Sequence, residues 1–158
     1  MSSAIHSVEA SGVGRFMREA LYAYPAAESV HIAGLALLFG SIAIVDLRLL
    51  GLGKRIPLGA LVSFAVPWSL AGFLIAASAG LLMFTAHAEE FLTQPVFMLK
   101  MGLILAGGVN AAMLHTGSLR APGPAIDAQP PARVRFAAAL SLLLWLGVIA
   151  CGRMLAYL

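Results

Sequence analysis

Four long apolar stretches, separated by charge, glycine or proline, set the pattern of this chain. The first covers about 26–50, with an uncharged core from Val30 to Val45. It ends in Asp46-Leu47-Arg48-Leu49-Leu50-Gly51, where Gly51 and Gly53 supply a helix stop. The second lies within the uncharged stretch Ile56 to Ala86, which is longer than one crossing needs. It is expected over about 63–87, with Pro57 marking where the chain comes in and Pro67 either an early kink or the true start. The third follows Pro95 over about 96–118 with Lys100 one turn inside, and the fourth covers about 136–157. A hydrocarbon core of roughly 30 Å takes about 20 helical residues, so each stretch suffices for one crossing. The expectation is an all-α integral membrane four-helix bundle, up-down-up-down, occupying residues 26–158.

Residues 1–25 form a separate segment. Val13, Phe16, Met17, Ala20, Leu21 and Tyr24 recur at spacings of three and four, with Arg15, Arg18 and Glu19 elsewhere around the wheel. That predicts a short helix from Gly12 to Tyr24 lying in the membrane interface; the other reading is an irregular arm anchored by Tyr22 and Tyr24. Basic residues come late in this segment, unlike a signal peptide, so no cleavage is expected. Between the third and fourth spans, 120–135 contains Pro122, Gly123, Pro124, Pro130 and Pro131 and reads as a flexible loop.

Composition agrees with the pattern: 61% of the 158 residues are hydrophobic and 11% charged, against about 25% charged in soluble domains. The net charge of +3 could suggest nucleic acid, but the basic residues are spread between apolar runs. They follow topology instead, and nucleic acid is not an expected partner. Arg48, Lys54, Arg55, Arg120, Arg133 and Arg135 lie on one side, against Arg15, Arg18, Lys100 and Arg153 on the other, where Glu89 and Glu90 also fall. By the positive-inside rule the two basic loops are cytoplasmic and both termini periplasmic in a bacterial inner membrane. The single cysteine, Cys151, sits in an apolar run and allows neither an intramolecular disulfide nor a cysteine metal cluster.

Helices in lipid associate through close approach at small residues and through polar contacts. Gly72, Ala76 and Gly80 make one such stripe, and Gly102, Ala106, Gly107 and Gly108 near Asn110 a second. Trp68 and Trp145 read as packing or interface residues. A homo-oligomer is compatible with such seams.

Ionisable groups inside spans are costly and therefore informative. His31, His87, Lys100 and Arg153 with Tyr157 fall near the outer ends of the four spans. Glu28-x-x-His31 and His87-x-x-Glu90 mirror each other, each putting a carboxylate and an imidazole on one helix face. Two chemistries fit. In one, His31 and His87 are axial ligands of haem b, while Lys100 and Arg153 neutralise its propionates. One-electron transfer near the periplasmic face, with a quinone or periplasmic electron partner, would follow. In the other, Glu28, His31, His87 and Glu90 hold a zinc, manganese or iron ion in a transport, sensing or assembly subunit. A hydrogen-bonded polar layer without a cofactor is the third possibility. On the inner half, Asp46, Arg48, Asn110 and His115 read as helix-end stabilisers. Asp46 and Arg48, two residues apart, need separate partners; Arg48 is expected to snorkel to lipid phosphate, and His115 to be a satisfied helix-end histidine, with a ligand as its other reading.

The motifs His31-Ile-Ala-Gly-Leu-Ala, Asp46-Leu-Arg-Leu-Leu-Gly51, Phe97-x-x-Lys100, Leu144-Trp145 and Gly152-Arg153-x-x-Ala-Tyr157 resemble an uncharacterised family of short bacterial four-helix membrane proteins. The resemblance covers nearly the whole chain and implies the four-helix fold, with little about activity. More loosely, the plan is similar to membrane b-type cytochromes and CopD-type copper-resistance domains. Di-haem cytochromes of that plan use four intramembrane histidines; this chain has three candidates, with His6 outside any span.

Overall fold

The computed structural model describes residues 2–117, 119 and 129–157; residues 120–128, which include Arg120 and most of the segment expected to be a flexible loop, lie outside the described residues. Among the described residues the secondary structure is helical: α1 (Ser2–Glu9), α2 (Gly12–Glu19), α3 (Ala23–Leu50), α4 (Leu58–Ala86), α5 (Ala88–Thr93), α6 (Pro95–Thr116) and α7 (Ala132–Met154). Helices α3, α4, α6 and α7 are long and apolar enough to cross a membrane.

Boundaries follow local chemistry. Gly51 and Gly53 adopt φ of 109° and 62°, the left-handed region that glycine reaches without a Cβ penalty, and α3 stops there. Helix α4 begins directly after Pro57, ahead of the expected residue 63, and runs through Pro67. Helix α7 begins at Ala132 because the Pro131 carbonyl accepts from the amides of Val134 and Arg135. The N-terminal segment forms two helices where one was expected. Ser11 ends the first arm and caps α2, its Oγ accepting from Gly14 N at 3.1 Å, and α2 stops at Glu19.

The chain divides into two compact units, one of residues 1–38 and 70–95 and one of residues 39–69 and 96–158. In the first, the opening half of α3 meets the closing half of α4 through backbone. A Cβ on Gly34 would lie 2.6 Å from Ala76 N, and one on Gly72 would lie 2.5 Å from Leu38 N. Only hydrogen fits at these two positions, as close helix approach in lipid requires. Helix α2 packs Gly14 and Met17 against this pair, with Met17 joining Ala27 and Ala86. The Arg18 guanidinium donates to the carbonyls of Ala86 and Glu9, at 3.0 and 2.7 Å, and so caps the end of α4.

The second unit packs segments of all four long helices around Val45, Leu49, Leu58, Val62, Ala65, Leu114, Val134 and Ala138. Trp145 seats on Gly107, where a Cβ would come 3.3 Å from the indole, whereas Gly102 and Gly108 of the expected stripe face open space among the described residues. Arg48 departs from the snorkelling expectation. It is 2% exposed, donating from Nε to the Ile56 carbonyl at 2.8 Å and from Nη2 to the Lys54 carbonyl at 3.3 Å. The side chain thereby ties α3 to the turn that follows it.

Large apolar side chains such as Ile32, Ile44, Phe64, Leu70, Leu81, Leu105, Met113, Phe136 and Leu143 are exposed along the long helices. A water-soluble fold would bury them; a lipid bilayer is the solvent that suits them.

Candidate functional site

The outer residues separate into distinct local settings. His31 is half-buried in α3, its Nδ1 donating to the Ala76 carbonyl of α4 at 2.7 Å, and Gly80 leaves the room its ring occupies. A carbonyl oxygen only accepts, so Nδ1 carries the proton. His87 lies in the break between α4 and α5, exposed, with backbone angles outside the helical region. Its ring meets the Tyr24 ring edge-on at 5.9 Å, and its Nδ1 is 3.6 Å from the Glu90 carboxylate. The Glu90 pairing expected from the spacing therefore forms, although at the start of a separate short helix rather than the end of α4. Glu28 and Glu90 both stand within electrostatic reach of Tyr24.

Tyr24 and His31 are seven residues apart in one helix, or about 10 Å along its axis at ~1.5 Å per residue. His87 belongs to the Tyr24 level and His31 to the Ala76–Gly80 level. Two imidazoles that share one metal must reach the same point. The structure brings Glu28, His87 and Glu90 around Tyr24.

Lys100, Arg153 and Tyr157 belong to the second unit. Lys100 lies over Gly152, its Nζ 3.4 Å from where a Cβ there would sit. Arg153 and Tyr157 are exposed and engage each other, the guanidinium donating to the phenol oxygen and lying 4.7 Å from the ring centroid.

A further group that the spacing arguments missed joins α1 to α5. Ligand atoms of His6, Glu9 and Glu89 lie within 4.8 Å of one another. Glu9 Oε1 accepts from Glu89 N at 2.9 Å, and His6 Nε2 is 3.9 Å from Glu89 Oε2. These contacts are mutual and largely exposed, and they dock α1 on α5. The His6-x-x-Glu9 spacing was the available signal.

The most unusual polar arrangement is internal to the second unit. A cavity of about 70 Å³ is lined by Ser41, Asp46, Ser69, Asn110, His115 and Ser141, with Ile42, Val45, Ala65, Val66, Ala111 and Leu114 completing its wall. One water needs roughly 10–15 Å³, so there is room for an ion or a few waters. Asp46 is 3% exposed and Ser141 4%. Asp46 Oδ2 and His115 Nε2 are buried without a hydrogen-bond partner.

Three donors on this wall are spent on helix carbonyls. His115 Nδ1 donates to the Ala111 carbonyl at 3.1 Å, Asn110 Nδ2 to the Ala137 carbonyl at 3.1 Å and Ser69 Oγ to the Val66 carbonyl at 2.8 Å. The Ser141 hydroxyl hydrogen-bonds the Asp46 carboxyl group. Two acceptors on residues of this wall are left over, one Asp46 carboxyl oxygen and the unprotonated nitrogen of His115. Asp46 and Arg48 thus have separate partners, as their spacing requires. His115, expected to be satisfied at a helix end, keeps one ring nitrogen unsatisfied.

No curated protein and no solved structure matches this chain. A model of a family of unknown function, DUF6644, matches residues 9–158. That match spans all four long helices, and the chain belongs to this family.

Proposed function

We propose that this chain is a multi-pass membrane subunit, placed in a bacterial inner membrane with both termini periplasmic. It binds a small cation or polar solute in the cavity of its second unit and serves a transport, sensing or assembly role. One observation carries the reading: a carboxylate 97% buried within apolar helices, with an oxygen lacking any donor, lines a cavity large enough for an ion or water. An unpaired buried acceptor costs about 1–3 kcal/mol, and ionisable groups kept inside membrane helices usually mark a binding or conduction path. Purified full-length protein in detergent, screened by thermal shift against monovalent ions, divalent ions and small polar solutes, tests this. A ligand that stabilises the wild type and leaves Asp46→Asn unmoved supports the reading; equal responses in both proteins, or none, would overturn it.

Haem b with electron transfer is a second reading. It rests on His31, whose Nδ1–H is held by a backbone carbonyl as in many metal-ligating histidines. It needs an axial partner other than His87, or a five-coordinate iron. A Soret band that sharpens and shifts on reduction would support it, and a colourless preparation from haem-replete cells would remove it.

A further inference from the structure

We propose that the occupant of the second-unit cavity is a divalent first-row transition-metal ion, with Asp46 Oδ2 and His115 Nε2 as its protein ligands and Asn110 Oδ1 beside them. The inference rests on the binding reading above and names the ligand class for that site. Two buried acceptors, on residues that line one cavity, are left without donors, and a cation held between them would satisfy both. The three groups come from two helices, α3 for Asp46 and α6 for Asn110 and His115, while α7 contributes Ser141 to the wall.

The choice among cations follows from the donor set. Sodium, calcium and magnesium prefer all-oxygen surroundings, whereas a neutral imidazole favours zinc, iron, nickel or copper. His115 is already in the tautomer a metal requires, because its Nδ1–H is turned to the Ala111 carbonyl and its lone pair lies on Nε2. The carboxylate is likewise oriented, by the Ser141 hydroxyl. Oxygen and nitrogen donors without thiolate leave zinc and manganese(II) as the natural probes, with water completing the coordination in a cavity of about 70 Å³.

The test uses the full chain carrying His6→Ala, which removes the imidazole of the exposed His6, Glu9 and Glu89 group. The protein is purified metal-free, loaded with zinc or manganese(II), desalted, and analysed by elemental analysis and titration. The expected result is one tightly held metal per chain. Asp46→Asn and His115→Gln, each eluting as folded protein, should weaken binding by at least about tenfold, the lower end of what losing even an outer-shell partner costs. Cobalt(II) substitution supplies a second readout: its visible spectrum should change on His115→Gln. Metal retained in both variants, or none bound in the parent, overturns the proposal. If sodium or a neutral solute instead stabilises the protein in an Asp46-dependent manner, the transition-metal assignment falls and the broader binding reading stands. If nothing binds through Asp46, both fall.

Discussion

His31 and His115 are both histidines inside long apolar helices, and their surroundings differ in a way that separates structural from functional polarity. In the first unit, His31 reaches across to the Ala76 carbonyl of the facing helix and fills the space left by Gly80. Its hydrogen bond joins two helices whose backbones already touch at Gly34 and Gly72. In the second unit, His115 turns Nδ1 back onto its own helix and leaves Nε2 buried beside a cavity that Asp46 also faces. One imidazole fastens a helix pair; the other is held in one tautomer without fastening anything. A buried acceptor that does no structural work is the residue to examine for binding.

The contrast can be broken most severely at the first unit's backbone contact. Gly72→Leu places a side chain where even a Cβ would lie 2.5 Å from Leu38 N. Overpacking of this kind costs about 1–3 kcal/mol and sometimes more, so loss of monodisperse protein on size exclusion is expected; a normal profile and melting point would show that the seam does not hold the unit. Next is Arg48→Ala, which removes the guanidinium bonds to the Ile56 and Lys54 carbonyls. Hydrogen bonds to a charged group contribute about 1.5–3 kcal/mol, and a fall of that size in thermal or denaturant stability should appear without change in metal binding. His31→Ala should cost about 1 kcal/mol from the lost bond, with some further loss from packing. It should also leave cation binding intact, and a loss of binding would erase the distinction drawn between the two histidines. Smallest is Gly108→Ala, which meets nothing within 4 Å and should stay within about 0.5 kcal/mol of the wild type.

The spans were legible because their signals are local. Apolar runs of adequate length, Pro57 before α4, and Gly51 and Gly53 after α3 each act within a few residues. The Gly72, Ala76 and Gly80 stripe was legible for the same reason, since four-residue spacing shows directly in the sequence, while Gly34 as its counterpart was not. Helix α5 went unforeseen because it has six residues and no apolar period of its own. The cavity was the hardest to foresee. Asp46, Ser69, Asn110, His115 and Ser141 are spread over 95 residues, and nothing in their individual spacing joins them. Reading them as separate helix-end groups was reasonable one helix at a time; only the packing of α3, α4, α6 and α7 segments places them on one wall. The outer layer shows the converse difficulty. Similar depth along different spans suggested a shared site for His31 and His87, but the break before α5 puts His87 at the Tyr24 level.

The central claim is that Asp46 is retained for a cation at a cost in stability. The most direct measurement compares melting temperatures of wild type and Asp46→Asn, each metal-free and with saturating zinc. Metal-free, the variant should be the more stable, because an amide removes a buried anionic oxygen that lacks a donor, a cost of about 1–3 kcal/mol; with zinc, the order should reverse as the wild type gains and the variant does not. A variant less stable than the wild type under both conditions, by the same margin, would mean that Asp46 serves the fold alone and would contradict the account.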